Sequence, residues 1–150
     1  SGVLVKGEAG LMVRMARCCN PVPGDPIIGF ITKGSGISVH RADCPNMQPG
    51  ACEVERLIDV EWDGATTEAF QAHIAVDAYD RNGLLMDVMA TLSELKVNVI
   101  NVNSRLDEEE KQVHMSLLVD IKDLSQLDFV MTKLRRIKDI YTVERAKGGA

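Results

Sequence analysis

The run His73-Ile74-Ala75-Val76-Asp77-Ala78-Tyr79-Asp80-Arg81-Asn82-Gly83-Leu84-Leu85 changes its hydrophobic period part-way along. Ile74, Val76 and Ala78 alternate with His73, Asp77 and Tyr79, the period of a strand with one buried face. Beyond Gly83, apolar residues fall at 84, 85, 88, 89, 92 and 95, the spacing of one helix face. Gly83 stands at the junction, where a left-handed backbone closed to most residues can turn the chain. A strand, a glycine turn and an amphipathic helix therefore open the second half.

Outward from this run, the pattern continues. Val97 to Val102 is a second β-rich stretch, and Asp107-Glu108-Glu109-Glu110-Lys111 reads as a solvated hairpin tip. Val113, Met115, Leu117, Val119 and Ile121 alternate over a full strand. Leu124, Leu127, Val130, Met131, Leu134 and Ile137 share one face of a second helix, and Ile140-Tyr141-Thr142-Val143 closes as a strand. The order βαββαβ is the ferredoxin-like split βαβ pattern. That fold hosts many functions, so it decides none of them.

Upstream the pieces are shorter. Val3-Leu4-Val5, Leu11-Met12-Val13, Ile27 to Ile31, Ile37-Ser38-Val39 and Leu57 to Trp62 read as strands between glycine- and proline-rich turns. The polar, aperiodic Asp63-Gly64-Ala65-Thr66-Thr67-Glu68 divides the chain. The expectation is an α+β protein with a small β-rich unit over 1–62, a linker over 63–71 and a second unit over 72–147. So small a unit, poor in aromatics, has a thin core and needs a metal or a partner. It also reads as part of a larger protein, with Ser1-Gly2 as a cloning remnant.

Cys18 and Cys19, followed by His40 and Cys44, are four ligand-competent side chains in the small unit. Zinc takes four tetrahedral N/S ligands in closed structural sites. The competing reading is a set of small buried hydrophobes, since neighbouring side chains in a strand point apart. A disulfide between adjacent cysteines is strained. Without a signal peptide or an apolar segment of membrane-spanning length, a reducing cytoplasm is the expected compartment, and no membrane is expected as a partner. Reduced thiols favour metal or core over disulfide. Cys52 falls outside the set.

The chain has 150 residues and a formal net charge of -5, which argues against a generic electrostatic grip on nucleic acid. Lys133, Arg135, Arg136 and Lys138 complement the second helix dipole as well as they would an RNA. The helix start after Gly83 offers free N–H groups suited to a carboxylate such as that of an amino acid. The plainer alternative is an ordinary helix start capped by Asp80. Asn98 and Asn101 either supply amide contacts or hold strand edges. His114 shares a strand face with Ser116, Leu118 and Asp120, which makes it a surface or interface residue. No Walker-type loop, His-Asp dipeptide or Gly-x-Ser-x-Gly turn is present, so no catalytic residue is expected.

Val13-Arg14-Met15-Ala16-Arg17-Cys18-Cys19-Asn20-Pro21-Val22-Pro23-Gly24-Asp25, with Gly29-Phe30-Ile31-Thr32-Lys33-Gly34-Ser35-Gly36-Ile37-Ser38-Val39-His40-Arg41-Ala42-Asp43-Cys44-Pro45-Asn46, resembles a known domain. It is the conserved-cysteine, zinc-finger-like domain of long Rel/SpoT enzymes, the bifunctional (p)ppGpp synthetase/hydrolases of the bacterial stringent response. Tyr79 to Leu85 and the βαββαβ order are similar to their C-terminal ACT domain. The resemblance implies a regulatory region without activity of its own, whose catalytic domains precede it. It carries the cysteine/histidine motif onto Cys18, Cys19, His40 and Cys44, as a zinc site or as the organiser of a core and an RNA surface; no organic cofactor is expected. It also implies docking to ribosomal RNA beside uncharged tRNA, for which Arg14, Arg17, Lys33 and Arg41 are the candidate contacts. For the ACT half it implies a homodimer that binds an amino acid, with branched-chain ligands first. The site would be Asp80, Arg81, Asn82, Gly83, Leu84 and Leu85 of one copy against Asn98, Val99 and Ile100 of its neighbour. Two alternatives compete. One is a stand-alone zinc-binding interaction module without small-molecule sensing. The other is a zinc enzyme, which would need an open coordination position that four protein ligands do not leave.

Overall fold

The computed structural model describes residues 2–5, 12–34, 36–64 and 67–146. The first half holds short strands β1 Val3–Val5, β2 Val13–Met15, β3 Ile27–Ile31, β4 Ile37–Arg41, β5 Leu57–Ile58 and β6 Val60–Trp62. β3 and β4 form an antiparallel hairpin, β2 runs parallel to β4, and the sheet order is β2-β4-β3-β5. The strand expected over 11–13 lies instead at Val13–Met15, where pairing with Ile37–Val39 begins; Met12 is exposed. Leu11, Ser35 and Lys147 lie outside the described residues. The single strand expected over 57–62 breaks at Asp59. Leu57 and Ile58 pair with β3, whereas Val60 to Trp62 pair with β1, so the chain must bend between two sheets.

In the second half the order is β7 Phe70–Tyr79, α1 Leu84–Glu94, β8 Val99–Asp107, β9 Gln112–Ile121, α2 Leu124–Arg135 and β10 Ile140–Arg145. These strands form one antiparallel sheet in the order β10-β7-β9-β8, the ferredoxin-like arrangement expected from the period changes. β7 starts at Phe70, earlier than His73, because Phe70 extends the ladder opposite Ile121 and its ring meets Trp62 edge-on at 5.4 Å. Ala72, Ile74, Val76 and Ala78 of β7 and Val113, Met115, Leu117, Val119 and Ile121 of β9 point to one face. Both helices cover it with Leu84, Val88, Leu92, Leu127, Val130, Met131 and Leu134. Each fully buried Leu, Ile or Val here contributes roughly 1.5–3 kcal/mol. Asp123 caps α2 by accepting from Gln126 N at 2.8 Å, and Gln126 Oε1 accepts from Lys122 N at 2.7 Å, a reciprocal cap that fixes where the helix starts.

Val22 of the first half is fully buried in this second core, and Met15 and Trp62 also pack against that core. The first half keeps a smaller cluster of its own: Ala16, Cys19, Cys44 and Met47, with Cys18, Ile28, Phe30, Cys52 and Leu57 against it. Among the described residues, no helix is long and apolar enough to cross a membrane.

Candidate functional site

Cys18 and Cys19 sit in a turn rather than a strand. Asn20 N donates to Ala16 O at 2.9 Å and Asn20 takes a left-handed φ of 46°, so the two side chains converge instead of alternating. β4 delivers His40 and the turn after it delivers Cys44, whose N–H bonds Arg41 O at 3.0 Å. Cys18 Sγ lies 3.3 Å from His40 Nδ1, 3.7 Å from Cys44 Sγ and 3.9 Å from Cys19 Sγ, and Cys19 Sγ lies 3.8 Å from His40 Nδ1. A tetrahedral ion with metal–sulfur bonds of about 2.3 Å has sulfur–sulfur edges of about 3.8 Å and slightly shorter sulfur–nitrogen edges. The four ligand atoms, all within 4.8 Å of one another, fit that tetrahedron and can hold a metal ion. His40 Nε2 lies 3.0 Å from Ser38 Oγ, which orients the ring with Nδ1 toward the sulfurs. Arg41 N donates to Cys19 Sγ at 3.3 Å.

Burial favours the neutral forms of these side chains. Burial, opposed by the Arg41 N–H and reinforced by Cys18 and Cys44, pushes the Cys19 thiol up to about 12. Burial also raises Cys44 and lowers His40. Neutral imidazole is the ligating form, and a divalent ion supplies the positive charge that lets buried thiols lose their protons. Cys52 stays outside the ligand set and packs against its flank.

The four basic residues singled out in this half do not form one patch. Arg14 and Arg17 line a shared groove with Met15, Ala16, Ser38 and His40, about 580 Å³ in volume. Lys33 lies in the β3–β4 turn, while Arg41 is at the opposite end of that hairpin and pairs with Asp43 at 2.8 Å.

At the second candidate site Gly83 has φ 80°, and α1 starts on it with no side-chain cap. Asp80 does not fill that role; its N–H bonds Lys111 O at 2.8 Å. A cleft of about 300 Å³ opens here, lined by the 80–86 turn with Ser104, Val113 and Met115. Arg81 is held by Asp87 at 2.7 Å and Asp139 at 3.1 Å. Asn98, Val99 and Ile100 lie at the other end of β8: Val99 pairs with Val119, whereas Asp107 pairs with Gln112 beside Tyr79. Asn98 Nδ2 donates to Asp120 Oδ2 at 2.8 Å, the edge-holding role foreseen for such a residue, and a β-bulge falls at Ile100.

Two family models divide the chain. The RelA/SpoT RIS domain matches residues 3–63, and the ACT domain matches residues 66–145. The chain belongs to the RelA/SpoT family. It is 40% identical over 144 residues to a GTP pyrophosphokinase of Streptomyces coelicolor, covering 96% of this chain and 17% of that protein. It is 40% identical over 147 residues to a GTP pyrophosphokinase of Escherichia coli, covering 97% of this chain and 20% of that protein. The chain thus spans a fifth or less of the curated relatives it matches and corresponds to their C-terminal regulatory RIS–ACT region. Among solved structures, the ACT domain of a Chlorobium tepidum GTP pyrophosphokinase superposes with a TM-score of 0.47 at 24% identity, over 53% of this chain and 100% of that one.

Two clusters had no sequence signal. In the ACT domain, Asp77 Oδ1 bonds His114 Nδ1 and its Oδ2 accepts from Thr142 Oγ1 at 2.8 Å. Burial would raise the Asp77 carboxyl, but the His114 and Thr142 hydrogen bonds outweigh it and hold the group below the usual carboxylate value. Between the domains, Arg145 pairs with Asp25 at 2.7 Å across most of the chain's length. The Asn-Pro-Val-Pro-Gly-Asp turn was visible as a rigid turn, but its receptor was not.

Proposed function

We propose that this chain is the regulatory region of a stringent-response (p)ppGpp synthetase/hydrolase and acts through three contacts. The RIS domain holds a structural zinc ion on Cys18, Cys19, His40 and Cys44. Its Arg14–Arg17 groove meets ribosomal RNA in the full-length protein. The ACT domain binds a branched-chain amino acid at Asp80–Leu85 and forms a homodimer. The GTP pyrophosphokinase activity for which the relatives are named belongs to domains other than RIS and ACT, and the region controls them in the reducing cytoplasm.

The observation that carries the amino-acid reading is the uncapped helix start at Gly83, opening into an apolar-floored cleft. The positive dipole end of the helix suits a carboxylate, and Val113 and Met115 suit an aliphatic side chain. β8 is a sheet edge. Antiparallel contact between two β8 edges carries Asn98–Ile100 of a second copy toward Asp80–Leu85 and would close the cleft.

Calorimetric titration with valine, isoleucine and leucine, with alanine as control, tests this. Saturable heat from a branched-chain ligand, abolished by Gly83→Val, supports the sensor. That variant forces a β-branched residue into φ 80°, at a cost of roughly 1–2 kcal/mol. No heat at millimolar ligand sinks the sensor and leaves dimerisation and docking. For docking, Arg14→Ala with Arg17→Ala should weaken ribosome pelleting of the full-length protein; unchanged pelleting rules that groove out.

A further inference from the structure

The turn that leaves the cysteine pair ends inside the other domain. Cys19 is followed directly by Asn20-Pro21-Val22-Pro23-Gly24-Asp25. Val22 is fully buried in the ACT core. Pro23 O accepts from Leu124 N at 2.7 Å, satisfying an orphan donor of the first turn of α2. Arg145 of β10 grips Asp25 with both nitrogens, Nη1 to Oδ1 at 2.7 Å and Nη2 to Oδ2 at 3.1 Å, and gives Nη2 to Asn20 O at 3.0 Å. Asp25 also accepts from Val22 N at 2.8 Å, and its carbonyl accepts from Trp62 Nε1 at 2.9 Å. The approach is close enough to require glycine: Gly24 has φ 108°, and a Cβ there would stand 2.9 Å from Leu124 Cβ.

We propose that metal occupancy of Cys18, Cys19, His40 and Cys44 is thermodynamically coupled to the stability of ACT elements α2 and β10 through this turn. Arg145 is the positioning residue that carries the coupling. The inference rests on the reading of the cysteine set as a metal centre. The physical chain is short. Ligation fixes the backbone at Cys18 and Cys19, and the two prolines restrict the path that follows. Asn20 and Asp25 are then delivered to Arg145 as a preset pair of acceptors. Without ligation the RIS core reduces to its small apolar cluster, and the turn loses its anchor at one end. Its departure strips Val22 from the ACT core, uncovers the Leu124 N–H and breaks the Arg145–Asp25 pair. The coupling is reciprocal, so loosening the ACT end must lower metal affinity by the same factor.

Hydrogen exchange by mass spectrometry on the 150-residue chain, with and without zinc, tests this. A cobalt-substituted sample reports thiolate ligation separately through its charge-transfer absorption. Zinc is expected to slow exchange over 13–44 and also over 124–135 and 140–145, the latter about tenfold, within the usual range of coupling between sites. Arg145→Ala should lose the distal protection, keep the cobalt spectrum and bind zinc about tenfold more weakly in chelator competition. Should Arg145→Ala fail to fold, Val22→Ala must show the same loss of distal protection with the ligands intact. Zinc protection confined to the RIS domain, with cobalt ligation present, overturns the coupling alone. Absence of thiolate ligation overturns the metal reading and the coupling with it.

Discussion

The RIS and ACT domains reach stability by different routes. In the ACT domain a four-stranded sheet presents alternate residues of β7 and β9 to two helices, and the core is apolar throughout. In the RIS domain the cluster of Ala16, Cys19, Cys44 and Met47 draws two of its four members, Cys19 and Cys44, from the candidate metal set. Short strands bury little area, which leaves a thin core around side chains that can hold a metal ion. One domain is held together by hydrophobic area; the other has a smaller core and lends Val22 to its neighbour.

Removing the metal or one ligand is the strongest way to break this contrast. Chelation, or Cys44→Ser, should unfold the RIS domain with a loss of at least about 4 kcal/mol, the linkage expected at a thousandfold excess of metal over Kd. Thermal melts followed by circular dichroism with and without chelator read it; unchanged melts would make the cysteine set an ordinary core. Next in size, Leu117→Ala, at a site with 0% exposure, should cost the ACT domain about 2–5 kcal/mol. Its cobalt absorption should stay intact, and loss of that band would show that ligation depends on ACT packing more than the contrast allows.

Acid sharpens the comparison on a smaller scale. Asp77 is held below its ordinary value in the folded ACT domain, so the unfolded chain binds its proton first. The stabilisation is fully present above the unfolded carboxyl value of about 3.9 and fades as pH falls through the lower folded value. His114→Ala should remove about 1 kcal/mol of hydrogen bonding at neutral pH and flatten the ACT denaturation curve below pH ~4. An unchanged acid limb would mean the pair is not formed in solution. Smallest of all, Glu109→Lys at the β8–β9 tip should shift the denaturant midpoint by less than about 0.5 kcal/mol, because the turn is held by Asp107 accepting from the Glu109 and Glu110 backbone N–H groups.

Much of the ACT domain was legible because its signals are local and repeated. β9 could be read residue by residue, since every second side chain from Val113 to Ile121 is buried. The RIS strands were harder. Two or three residues carry no clear period, so β2 shifted by two positions and the 57–62 strand split between sheets. The convergence of Cys18 with Cys19 ran against the strand expectation, and the turn bond from Asn20 N to Ala16 O explains why. At the helix start Gly83 was readable from its place between two periods. The distance between Asp80–Leu85 and Asn98–Ile100 was not, because it depends on which ends of β7 and β8 lie together.

The amino-acid sequence by itself determined the ACT elements, their βαββαβ order and the identity of the four residues that converge as a candidate ligand set. Period, glycine placement and side-chain chemistry act over a few residues and need no partner to be read. Only the tertiary structure decided that Val22 completes the ACT core, that Arg145 holds Asp25, and that the Pro21–Pro23 turn ties the cysteine set to α2. Those contacts join residues up to 125 positions apart, and complementarity at such a range exists only once both surfaces have formed.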